Sequence, residues 1–83
     1  MKVHLRYFAA IREAIGLGTE EVQTQSQTVA ELREELRLRG GAYAETLAQG
    51  RAVRTALDQV LCEPTASLHE GCELAFFPPV TGG

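Results

Sequence analysis

Only one stretch of this 83-residue chain carries a full set of helix signals, and the stretches around it alternate like strands. Thr28 followed by Glu31 has the spacing of a capping box, in which each side chain satisfies a backbone N–H at the helix start. Val29, Leu32 and Leu36 then form an apolar stripe at i, i+3 and i+7. Arg33, Glu34, Glu35 and Arg37 fall on the other side of that helix, which the pattern reads as solvated. Gly40-Gly41 stops it. Lys2 to Phe8 alternates strictly, with Val3, Leu5 and Tyr7 on one face and Lys2, His4 and Arg6 on the other. His4 is therefore read as a solvated histidine. Cys72 to Phe77 repeats the pattern, with Cys72, Leu74 and Phe76 together; alternation places Phe76 inward and Phe77 outward. A helix with one apolar stripe must bury it, and one face of a sheet is the surface these strands offer.

The remaining signals are shorter. Ala9 to Ile15 has helical spacing through Ile11, Ala14 and Ile15, ended by Gly16 and Gly18. Thr19 to Thr24 reads as a weak strand around Val22. Ala42 to Ala48 reads as a short helix held by Tyr43 and Leu47, ended by Gly50. Val53–Leu57 and Val60–Cys62 form a hairpin about Asp58-Gln59, where Asp58 tolerates left-handed geometry. Pro64 breaks the second run, and Leu68 anchors a loop before the turn Glu70-Gly71. The fold class predicted is α+β of β-grasp type: a mixed sheet packed on one main helix. The apolar density of the first and last strands puts them at the centre, side by side.

Composition closes off several functions. A chain of this length allows one domain, and 45% hydrophobic residues is normal for a folded one. The net charge of −3 and a pI near 5.3 disfavour nucleic-acid binding, which needs a basic face. No apolar run approaches a membrane span, and Met1-Lys2-Val3-His4-Leu5-Arg6 lacks the core of a signal peptide, so cytoplasm is expected. Cys62 and Cys72 read as core thiols, with a disulfide between them disfavoured by that compartment. His69 and Cys72 form an H-x-x-C, too few ligands for a metal site. No nucleophile motif or phosphate loop is present. The adjacent pairs Glu20-Glu21 and Glu34-Glu35 do not share a face, and His69-Glu70 sits in a turn.

Chemistry then falls to the end of the chain, Phe76-Phe77-Pro78-Pro79-Val80-Thr81-Gly82-Gly83. The two prolines fix φ and read as a stiff polyproline II spacer. Pro78 to Gly83 reaches about 20 Å when extended, enough to enter a partner's buried site. Gly82 and Gly83 have no Cβ and fit a narrow channel. The interior Gly40-Gly41 shows that the dipeptide alone says little. A terminal carboxylate, with a pKa of about 3.5, is ionised and a poor electrophile. ATP can convert it to an acyl-adenylate, and sulfide can displace AMP to leave a thiocarboxylate able to deliver sulfur. The reactive group would be the carboxylate of Gly83.

The run from Leu74 to Gly83 closely resembles the C-terminus of the small-subunit family of molybdopterin synthase. Val3-His4-Leu5-Arg6-Tyr7-Phe8-Ala9-Ala10-Ile11-Arg12-Glu13 looks like that family's first strand and helix. Thr28-Val29-Ala30-Glu31-Leu32 and Ala56-Leu57-Asp58-Gln59 resemble its capped helix and hairpin, with Leu57-Asp58 where the family pattern has Val-Asn. The resemblance implies a ubiquitin-like β-grasp domain over residues 1–77 and an extended tail over 78–83. It implies a sulfur carrier for molybdenum cofactor biosynthesis that is not an enzyme on its own. Gly83 would be adenylated by an ATP-dependent activating enzyme and thiocarboxylated from a cysteine-derived sulfur donor. Phe77, Pro78, Pro79, Val80, Thr81 and Gly82 would then contact the large synthase subunit in a heterotetramer. There the carrier would supply sulfur for the dithiolene of molybdopterin. Neither a bound cofactor nor a metal is implied. A ubiquitin-like modifier joined to lysines through Gly83, a carrier for thiamin or cysteine synthesis, and a plain binding module remain as alternatives.

Overall fold

The strict alternation at the N-terminus becomes β1 (Lys2–Tyr7), with Val3, Leu5 and Tyr7 buried. The structure is a computed structural model and describes residues 1–79. After β1 come α1 (Ala9–Ile15), β2 (Thr19–Gln23), α2 (Val29–Arg37) and α3 (Gly41–Thr46). The chain then forms β3 (Arg54–Leu57), β4 (Val60–Cys62) and β5 (Glu73–Phe77). The five strands make one sheet in the order β2-β1-β5-β3-β4. β1 and β5 are parallel and adjacent, as their apolar density suggests, and the other pairs are antiparallel.

Register sorts the side chains onto two faces. Tyr7, Phe76 and Thr55 lie in one row across the sheet, and Leu5, Leu74 and Leu57 in the next. This inner face receives Val29, Leu32 and Leu36 of α2, with Ile11 and Leu47 closing the core. Each aliphatic side chain so buried contributes about 1.5–3 kcal/mol. The Tyr7 and Phe76 rings stack with centroids 6.1 Å apart and planes 15° from parallel. Thr19, Arg6, Ala75, Ala56 and Leu61 form a row on the outer face.

The cap of α2 differs in detail from the box its sequence predicts. Thr28 Oγ1 accepts from the Glu31 N–H at 3.2 Å, but Glu31 Oε1 reaches past Thr28 to the Gln27 N–H at 2.8 Å. The next free donors of the helix start go to the loop after β4. The N–H of Val29 donates to the Ala66 carbonyl and that of Ala30 to the Pro64 carbonyl. The turn Asp58-Gln59 has φ of 50° and 69°. Two successive left-handed residues match the right-handed twist of the flanking strands.

Three local expectations are corrected. Phe8 does not continue β1 but is the extended N-cap of α1. Gly40-Gly41 does not itself end α2, which stops at Arg37 with Leu38 as C-cap; the pair, at φ of 81° and 54°, bends the chain into α3. Arg33 is not on a solvated face. Its Nε donates to Leu47 O at 2.9 Å and its Nη2 to Ala48 O at 2.7 Å and Arg51 O at 3.1 Å. The carbonyls at and beyond the end of α3 have no helical partners, and the guanidinium fork of α2 satisfies them. Burial pushes the Arg33 pKa below its ordinary value.

Candidate functional site

The chain leaves the sheet at the C-terminal end of β5, so whatever residues 78 and 79 adjoin is the setting of the tail. Phe77 closes β5 on the outer face, paired in register with Arg54 of β3. Its ring meets that of Phe8 edge to face, with centroids 6.5 Å apart and planes at 88°. Phe8 is 37% exposed although large and apolar. It is held there by the sharp turn out of β1: its N–H donates to Phe76 O, and its carbonyl accepts from the N–H groups of Ile11 and Arg12. The next residue, Ala9, takes a φ of 51°, unusual for a residue with a Cβ. The Arg6 guanidinium lies 5.0 Å from the Phe8 ring centroid and 3.9 Å from Glu73.

The apolar surface continues across the sheet from these rings. Ala75 and Ala56 are paired, and Ala56 in turn pairs with Leu61 of β4. Leu61 is 61% exposed. Ala75 is only 6% exposed and Ala56 half-buried, so the two alanines form a largely covered floor between Phe8 and Phe77 on one side and the exposed Leu61 at the far edge. On the other side of the tail root is a groove of about 450 Å³ lined by Ala10, Ile11, Ala14, Arg51, Val53 and Pro78. Pro78 and Pro79 are half-buried.

Phe77, Pro78 and Pro79, three of the residues expected to meet a partner, are thus placed at one corner of the sheet. Val80, Thr81, Gly82 and Gly83 lie outside the described residues. The sequence reading missed Phe8, Ala56, Ala75 and Leu61. Phe8 had a usable signal: it falls in phase with Lys2, His4 and Arg6, the polar face of β1, where a bare phenylalanine is out of place. The others needed the register of three strands.

Elsewhere the titratable groups are engaged with one another. Glu20 Oε2 accepts from the Tyr7 hydroxyl at 2.8 Å and the Tyr43 hydroxyl at 2.7 Å, while Oε1 accepts from Arg39 at 3.0 Å. Partial burial pushes the Glu20 pKa up, but the hydrogen bonds from Tyr43, Arg39 and Tyr7 outweigh it and hold the carboxyl below its usual range. Burial, aided by the Glu20 carboxylate, pushes the Tyr7 hydroxyl far above its ordinary value. These four side chains tie β1, β2, the α2–α3 connection and α3 together. Asp58 accepts from His69 Nε2 at 2.7 Å and from the Glu73 N–H at 2.9 Å. The pair is exposed, and among the described residues no nucleophile is hydrogen-bonded to His69. Cys72 is buried and Cys62 half-buried beside Thr55; both are free thiols. Among the described residues no three His, Cys, Asp or Glu side chains converge as metal ligands.

Residues 5–83 match the ThiS family. The chain is 36% identical over 81 residues to the molybdopterin synthase sulfur carrier subunit of Escherichia coli (strain K12), covering 98% of this chain and 99% of that protein. Among solved structures it is similar to a chain in the complex of subunits 1 and 2 of the molybdopterin-converting factor from Helicobacter pylori 26695. That likeness has a TM-score of 0.70 at 26% identity over the whole of both chains. It also shares its fold with SAMP1 from Haloferax volcanii, at a TM-score of 0.80 and 23% identity over the whole of both chains.

Proposed function

The chain belongs to the ThiS family, and we propose that it is the sulfur carrier subunit of a molybdopterin synthase. The structural observation that carries this reading is the root of the tail. β5 ends at Phe77 beside Phe8, so residues 78 onward leave the domain next to an exposed apolar surface. A partner that grips this corner receives the tail in a fixed direction.

In this reading residues 1–77 are the docking domain and residues 78–83 the delivered segment. An ATP-dependent activating enzyme converts the Gly83 carboxylate to an acyl-adenylate. A cysteine-derived sulfur donor displaces AMP and leaves a thiocarboxylate. The carrier then docks on the large synthase subunit, two of each forming a heterotetramer. The solved complex of subunits 1 and 2 from Helicobacter pylori, one chain of which this protein resembles, supports a partner of this kind. Phe77, Pro78, Pro79, Val80, Thr81 and Gly82 contact that partner, with Phe8, Ala56, Ala75 and Leu61 as the adjoining floor. The chemistry belongs to the terminus, so no side chain of the domain acts as acid, base or nucleophile. No helix among the described residues is long and apolar enough to cross a membrane. The cytoplasm, which supplies ATP and cysteine sulfur, is the compartment we assign.

Intact-mass analysis after incubation with the activating enzyme, ATP and a sulfur source tests this directly. Oxygen-to-sulfur exchange confined to Gly83 is expected, and deleting Gly83 should abolish it while leaving the circular dichroism spectrum unchanged. An unmodified carboxylate under those conditions would overturn the reading. Lysine adducts bearing the tail would support the modifier alternative instead.

A further inference from the structure

The chain contains seven arginines but a single lysine, Lys2. The distribution matters more than the count. The cations around the root of the tail are all arginines: Arg54 is the register partner of Phe77, Arg51 lines the groove that holds Pro78, and Arg6 lies over Phe8. Arg54 and Arg51 are exposed. The chain's primary amines, Lys2 Nζ and the Met1 α-amine, lie at the start of β1. Because β1 runs parallel to β5, with Tyr7 beside Phe76, that start is the far end of the sheet. Five steps of strand separate Lys2 from Tyr7, about 17 Å. The Met1 amine is further occupied, donating to Thr24 O at 2.7 Å.

The two kinds of cation differ in one property that an activated acyl group detects. A lysine with a pKa of about 10.4 is deprotonated in roughly one molecule in a thousand near pH 7.4, and that fraction is nucleophilic. A guanidinium does not deprotonate in a protein and forms no amide. An ε-amine beside the tail would attack the Gly83 acyl carbon. A C–N bond would form, the C–O bond to AMP would break, AMP would leave and the ammonium proton would pass to solvent. The carrier would be consumed.

We propose that arginine stands in for lysine around the tail root to limit acylation of the chain by its own activated terminus, leaving Lys2, at the far end of the sheet, as the one side-chain amine that an activated tail can modify. This rests on the reading that Gly83 is activated, and the test separates the two. Gly83 is converted to a small-thiol thioester by intein cleavage, which needs no activating enzyme, and followed by intact mass at mildly alkaline pH. The wild type should lose its thioester mainly to water, and any trace of covalent dimer should map to Lys2 or the Met1 amine and fall in Lys2→Arg. Arg54→Lys and Arg51→Lys keep the charge and add an amine. At least one should lose thiol without gaining water, as a lactam or a dimer, roughly tenfold faster than the wild type. If both variants hydrolyse as the wild type does, or if wild-type dimers join at another residue, the inference falls. Failure of adenylation by ATP and the activating enzyme, assayed separately, would strike the functional reading instead.

Discussion

Phe76 and Phe77 are neighbours in β5, yet one ring is fully buried against Tyr7 and the other is half-exposed against Phe8. Glu20 and Glu21 repeat the contrast in β2. Glu20 faces inward and accepts from two tyrosines and an arginine, whereas Glu21 faces outward and meets only the half-exposed His4 at 3.2 Å. With helices on one side only, the sheet's period of two divides the labour residue by residue. The inner face holds the fold, and the outer face is left for contact.

Substitutions at these two pairs can break that division. Phe76→Ala should cost about 3–5 kcal/mol in urea unfolding. Phe77→Ala should change stability by about 1 kcal/mol or less and weaken binding to the proposed large-subunit partner about tenfold or more in calorimetry. Similar unfolding losses for both would show that the faces are not divided. Glu20→Gln should cost about 1–3 kcal/mol, because the hydroxyls of buried Tyr7 and half-buried Tyr43, together with Arg39, lose a charged acceptor. Glu21→Gln should stay within about 0.5 kcal/mol, as an exposed pair does.

The inner carboxylate also predicts a pH dependence. Glu20 has a folded pKa below its ordinary 4.5, so its contribution is present above that value and is lost as pH falls through the lower folded one. Urea midpoints of the wild type should therefore drop in acid more steeply than those of Glu20→Gln. The smallest effect belongs to the rim. The hydrogen bond with Asp58 raises the His69 pKa above 6.5, so its stabilisation is full below that value and fades as pH rises through the folded pKa. The stability difference between wild type and His69→Gln should shrink from pH 6 to pH 8. A difference that grew instead would mean the imidazole is held neutral.

Most of the fold was legible because its signals are local. The alternation of β1, the Thr28–Glu31 cap and the left-handed Asp58 each depend on residues a few positions apart. The rest depended on partners distant in sequence. Glu20 looked inert beside Glu21 because its meaning comes from Tyr43, 23 residues on. Arg33 looked solvated because the carbonyls it serves lie in the segment after α3. For the candidate site, composition and resemblance pointed to the tail, and the structure adds the surface at its root. Phe8 could have been read from its phase; Ala56, Ala75 and Leu61 could not, since small or lone apolar residues acquire significance only as a row.

The parallel pairing of β1 with β5 has a consequence for how the molecule is made. Residues 2–7 leave the ribosome early and residues 73–77 late, yet they are neighbours at the centre of the sheet. Closing so long a loop is entropically costly, and contacts of high sequence separation form late. The sheet cannot close while β5 is still unsynthesised. Phe8 and Phe77, one from each strand's end, come together only in the finished chain, so a nascent or truncated copy offers its partners only half of the corner they would grip.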